Sequence, residues 1–61
     1  MGKMIEVEGF KAFRGSMRIT FDRGNSASVI RGEWLYNPDT KCWYSCGVSY
    51  PEKCCEVLEV E

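Results

Sequence analysis

Apolar and polar residues alternate with a period of two along much of this chain, the period of a half-buried β-strand. Met4-Ile5-Glu6-Val7-Glu8 alternates and stops at Gly9, which predicts a first strand. Phe10 to Phe13 continues it beyond a bulge at Gly9, and Gly15 closes the segment. Met17-Arg18-Ile19-Thr20-Phe21 sets Met17, Ile19 and Phe21 on one face and Arg18 and Thr20 on the other, the cleanest half-buried strand in the chain. Asp22-Arg23-Gly24-Asn25-Ser26 has no apolar member and predicts the most mobile loop. Ala27 to Arg31 resumes strand character and runs through Gly32 into Trp34.

No window carries the i, i+3, i+4, i+7 stripe of a helix of ordinary length. One tight helical turn is expected at Pro51-Glu52-Lys53, where proline suits a first position. Asn37-Pro38-Asp39-Thr40 has the residues of a type I turn. A three-residue hairpin there would set Tyr36 opposite Cys42, Leu35 opposite Trp43 and Trp34 opposite Tyr44. It would also ask Thr40 to take a left-handed conformation that suits glycine, which argues for a longer loop. With the three-residue pairing, Trp34, Tyr36, Cys42 and Tyr44 share one face and Leu35 and Trp43 the other, so both faces are apolar. Short strands, glycine punctuation and the absence of helix predict an all-β fold, a small antiparallel barrel of about five strands with at most one helical turn.

A length of 61 residues allows one domain, taken as residues 1–61. Such a chain buries only about 60% of its unfolded surface, so its core is marginal. Hydrophobic content of 44% with two prolines excludes disorder, and no stretch approaches the ~20 apolar residues of a membrane helix. Met1 to Glu6 has neither the basic-then-apolar character of a leader nor the Ser or Thr of a myristoylation signal. A cytoplasmic location follows as the expectation, and with it four cysteine thiols rather than disulfides. Charge divides unevenly: residues 1–31 hold six Lys/Arg and three Asp/Glu, residues 32–61 two and six.

The run from Gly32 to Val57 holds five of the eight aromatic residues, and its order carries a resemblance. Glu33-Trp34-Leu35, a turn, and then Tyr50-Pro51-Glu52-Lys53-Cys54-Cys55-Glu56 resemble the second half of Src-homology-3 domains over about 24 residues. There a Glu-Trp-Trp-like strand enters a tight hairpin, and a Tyr-Pro segment leads through a helical turn into the last strand. The resemblance implies an SH3-like barrel in which Trp34 and Pro51 line a groove for polyproline-type ligands. Cys54 stands where that family places a groove tyrosine, and the family's tyrosine-rich opening strand has no counterpart in Met4 to Phe13.

Candidate chemistry is sparse. Zinc needs four ligands within about 2.3 Å of one ion. Cys42 and Cys46 on one extended strand would stand roughly 13 Å apart, and Cys54 and Cys55 would point to opposite sides. No metal and no cofactor are therefore expected. A catalytic cysteine lacks a histidine base, since the chain has none, and no enzyme activity is expected. Lys11, Arg14 and Arg18 interleave with Phe10 and Phe13, a pattern that in small barrels holds single-stranded nucleic acid, although the two phenylalanines also suit a core.

Trp34, Tyr36, Trp43, Tyr44 and Tyr50 make the stronger claim, because Trp and Tyr dominate protein interfaces, and the expected binding set drawn from them is Trp34, Tyr36, Trp43 and Tyr50 together with Pro51. The leading expectation is a non-enzymatic protein- or peptide-binding module that uses that binding set as an exposed aromatic patch, a monomer or weak homodimer. By size it suits a small adaptor or inhibitor from a bacterial or phage mobile element. The alternative is a nucleic-acid-binding barrel using Lys11, Arg14 and Arg18.

Overall fold

The computed structural model describes residues 3–21 and 26–61. In chain order it contains β1 (Ile5–Val7), β2 (Phe10–Thr20), β3 (Ala27–Asn37), β4 (Cys42–Ser45), β5 (Val48–Pro51), a 3-10 turn (Glu52–Cys54) and β6 (Cys55–Val60). All pairings are antiparallel, in the order β1-β2-β3-β4-β5, with β6 on β2. The fold is all-β with one short helical turn, as the alternation predicts, and has one strand more than expected. The turn starts directly after Pro51, whose missing N–H costs nothing there.

β2 organises the sheet. One edge pairs with β3 from Lys11 to Thr20; the other takes β1 at Phe10–Ala12 and β6 at Gly15–Ile19. The glycines act differently from the sequence expectation. Gly9 is not a bulge: Glu8 and Gly9, with φ of 51° and 89°, form a two-residue hairpin turn that closes Val7 onto Phe10. Gly15 does not close a segment but sits inside β2, where an added Cβ would overlap the Glu59 carbonyl of β6. The bulge lies in β6 itself, where Leu58 is the extra residue between Met17↔Val57 and Ser16↔Glu59. The Asp22–Asn25 part of the expected mobile loop lies outside the described residues; at its boundary Phe21 N–H donates to the Ser26 carbonyl at 2.9 Å.

The β3–β4 loop spans four residues, Pro38 to Lys41, and this sets the register of everything after it. Asp39 N–H donates to Asn37 Oδ1 at 2.8 Å, and Lys41 N–H to the Asn37 carbonyl at 2.8 Å. The left-handed residue is Lys41, with φ of 56°, rather than the β-branched Thr40. The pairs are accordingly Leu35↔Tyr44, Tyr36↔Trp43 and Asn37↔Cys42, one residue away from the three-residue hairpin. A one-residue slip exchanges faces. Trp43 therefore joins Trp34 and Tyr36 on the inner face, and Tyr44 joins Leu35 on the outer one.

The core is the inner face: Phe13, Met17 and Ile19 of β2, Trp34 and Tyr36 of β3, and Trp43 of β4, with Ile30, Tyr50, Cys55 and Val60 packed against them. Trp43 meets Phe13 edge-on at 5.5 Å between ring centroids and Tyr36 at 5.1 Å. Phe21, expected beside Met17 and Ile19, is instead exposed at the strand end. The indole N–H of Trp34 is buried without a hydrogen-bond partner among the described residues, which costs about 1–3 kcal/mol that the aromatic packing must exceed.

Candidate partner-binding surface

Register places the outer-face residues in rows that cross the strands. One row runs Ile5↔Ala12↔Leu35↔Tyr44 through β1, β2, β3 and β4. Beside it Val7 pairs with Phe10. Ile5 (59% exposed), Val7 (61%), Phe10 (40%) and Leu35 (48%) thus form one apolar patch, with Ala12 and Tyr44 half-buried between them. The Tyr44 hydroxyl lies 3.0 Å from Thr40 Oγ1, which holds the ring across the patch. A groove of about 540 Å³ opens over this row, floored by Ile5, Ala12, Leu35 and Tyr44 and flanked by Lys3 and Cys46.

Cys46 reaches that rim because it begins a second tight turn. Cys46 and Gly47 have φ of 52° and 77° and join Ser45 to Val48. The turn breaks the extended path assumed between Cys42 and Cys46. All four cysteines are free. Among the described residues no three His, Cys, Asp or Glu side chains converge as a metal set requires.

The rest of the outer face is charged and self-satisfied. Arg14 approaches Glu61 at 3.9 Å, Arg18 approaches Glu56 at 3.6 Å, and Arg31 bonds Glu59 at 3.1 Å while also contacting Glu61. Antiparallel pairing of β6 with β2 lays the acidic end of the chain over its basic half, so the charge asymmetry of the sequence cancels locally. Glu61 is half-buried and the other five side chains are exposed, so each pair contributes only about 1 kcal/mol.

The aromatic patch expected from sequence is corrected by burial. Trp34 is 2% exposed, Tyr36 8% and Trp43 6%: pairing with β2 sets Trp34 opposite core Phe13, with Tyr36 on the same face, and the four-residue loop turns Trp43 to join them. Tyr50 is half-buried against Trp34 at 5.7 Å, and of the five residues only Pro51 is exposed. Tyr36 donates its hydroxyl to Glu52 at 3.1 Å; burial first, then that carboxylate, hold its pKa above the ordinary value. Of the basic trio, Arg14 and Arg18 face glutamates and Lys11 lies over the Tyr36 ring at 5.4 Å, so they do not form an uncompensated basic surface. Phe13 is core and Phe10 is not.

Ile5, Val7 and Leu35 were legible as strand residues but not as surface. Alternation fixes which residues share a face without saying which face is covered. Cys55 is chemically quiet: its thiol donates to the Pro51 carbonyl at 3.2 Å, and burial, reinforced by Cys54, Cys42 and Glu52, pushes its pKa up to about 11.

No helix among the described residues is long and apolar enough to cross a membrane. Comparison with protein-family models, with curated proteins and with solved structures finds no match.

Proposed function

We propose that this chain is a non-enzymatic protein-binding module that docks its partner on the apolar half of the outer sheet face, centred on Leu35. The observation that carries the reading is the row of Ile5 and Leu35 beside Val7 and Phe10, four large apolar side chains at neighbouring positions, each at least 40% exposed. Contiguous exposed apolar surface on a small protein marks an interaction site. Tyr44 adds a ring fixed by Thr40, an anchor that loses little entropy on binding. Lys3, Arg14 and Glu33 border the groove with both signs of charge, a polar rim around an apolar centre.

The SH3-like resemblance belongs to this proposal as a reading of the fold, supported by the 3-10 turn after Tyr50-Pro51 and by the final strand returning to β2. Polyproline recognition through Trp34 is not part of it, because that ring is enclosed. A small adaptor or inhibitor role suits a module whose recognition surface is one sheet face.

The test is capture of partners from source-cell lysate after nuclease treatment, with wild-type protein and Leu35→Asp side by side. A protein retained by wild type and lost with Leu35→Asp is the expected result. Recovery of nucleic acid alone, indifferent to Leu35 and released by salt, would overturn the proposal and return the function to Lys11, Arg14 and Arg18.

A further inference from the structure

Sheet edges offer unpaired N–H and C=O groups, and proteins usually blunt them. Three of the outer edges here are blunted: β1 is three residues long, β5 ends in Pro51, and β6 carries the Leu58 bulge with Glu56 and Glu59. β3 is different. It runs eleven residues, yet β4 pairs only with Leu35–Asn37, leaving 27–34 without a partner strand on that side among the described residues. This stretch has no proline and no bulge, and Ala27, Ser28, Val29, Arg31 and Glu33 are exposed.

We propose that this edge pairs antiparallel with the same edge of a second copy of the chain, about a two-fold axis at Ile30. In such a pairing opposed residues share a sheet face, so their numbers sum to an even value. An axis at Gly32 confines the pairing to 30–34, because Val29 would oppose Leu35, which β4 already occupies. An axis at Arg31 opposes two arginines, which is destabilising. An axis at Ile30 uses Ala27 to Glu33, seven of the eight free positions, and opposes no like charges. Each Val29 then faces Arg31 of the second copy, and each Ala27 faces Glu33. The two Ile30 side chains, half-buried at the margin of each core, meet across the axis. An axis at Val29 confines the pairing to 26–32, because Glu33 would oppose position 25, outside the described residues, and it separates the two Ile30 side chains. With a net charge of −1 per chain, long-range repulsion between copies is small.

Sedimentation equilibrium of the full chain and four single variants tests the pairing. Wild type is expected as a concentration-dependent dimer of the 7.0 kDa chain. Ala27 faces the uncharged Thr20 within its own sheet, so its variants are the cleaner pair. Ala27→Lys should tighten the dimer and Ala27→Glu weaken it. Two new cross-strand charge pairs per dimer correspond to a change in dissociation constant of about tenfold. Val29→Glu should tighten and Val29→Arg weaken, with urea midpoints reporting the separate effect of Arg18, which faces Val29 in the same chain.

A monomeric wild type overturns the proposal. So does reversal of sign at either position: at Ala27 it would mean an axis at Val29, and at Val29 an axis at Arg31. Dimers dissociated by Leu35→Asp but indifferent to all four edge variants would also overturn it, by assigning self-association to the outer face. Only that last outcome bears on the Leu35 patch; a monomeric wild type or a reversal of sign leaves partner capture through Leu35 untouched.

Discussion

Trp34 and Leu35 are neighbours in sequence and opposite in consequence. Trp34 is enclosed by Tyr50 and the inner face of the sheet, and Trp34→Ala should cost about 3–5 kcal/mol by urea denaturation, enough to unfold a domain of this size. Leu35→Asp changes a half-exposed side chain and should move the urea midpoint little while removing partner binding. Loss of binding in a Trp34 variant would therefore report unfolding, and only the Leu35 variant separates recognition from stability. Gly15 is a third kind of position, fixed by close approach of two backbones. A methyl group there has no room beside the Glu59 carbonyl, and because the obstacle is main chain it cannot swing aside. Gly15→Ala should cost about 3 kcal/mol, read in the same denaturation series, with amide exchange accelerated along β6.

At the scale of elements, the β3–β4 hairpin decides which aromatics are core and which are surface. Its strands and its turn residues were legible in the sequence: Asn37 and Pro38 sit where a turn requires them, and Trp34 and Tyr36 stand two apart on one face of their strand. That the loop exceeds three residues was legible in Thr40; its exact length was not, because its left-handed residue is a lysine, which gives no composition signal, and one residue of length inverts the faces. The same limit hid the outer patch. Ile5, Val7, Phe10 and Leu35 are ordinary strand residues, and their exposure depends on the outer face at that end of the sheet having nothing packed over it among the described residues, which no local pattern states. The charge pairs across β2, β3 and β6 were equally invisible, since they join residues 28 or more apart in the chain. Arg18 and Glu56 are both exposed, so Arg18→Ala should change stability by less than about 1 kcal/mol, and raising salt should shrink even that difference between variant and wild type.

For the molecule as a whole, the balance of buried and exposed apolar groups is unusual. Among the described residues six hydrophobic side chains form the core while ten large ones are exposed, and the accessible surface of 4489 Å² exceeds the roughly 4,000 Å² expected of a folded monomer of this mass. A chain built this way has little stability in reserve, so the titration of a few groups shows in its unfolding. Cys55 and Tyr36 both resist ionisation in the folded state, for the same first reason: burial disfavours their charged forms. A pKa raised on folding means that the unfolded chain releases its proton at lower pH than the native one. The contribution from Cys55 is therefore fully present below about pH 9 and is lost as pH rises towards about 11, with Tyr36 adding to the loss above pH 10. Urea midpoints measured from pH 7 to 11 should hold steady to about pH 8.5 and then fall. In Cys55→Ala the first part of that fall should disappear, leaving the later one due to Tyr36. A midpoint that falls equally in variant and wild type from pH 8.5 would mean that the Cys55 thiol ionises as readily in the folded chain as in the unfolded one, and that its hydrogen bond to Pro51 gives it no protection.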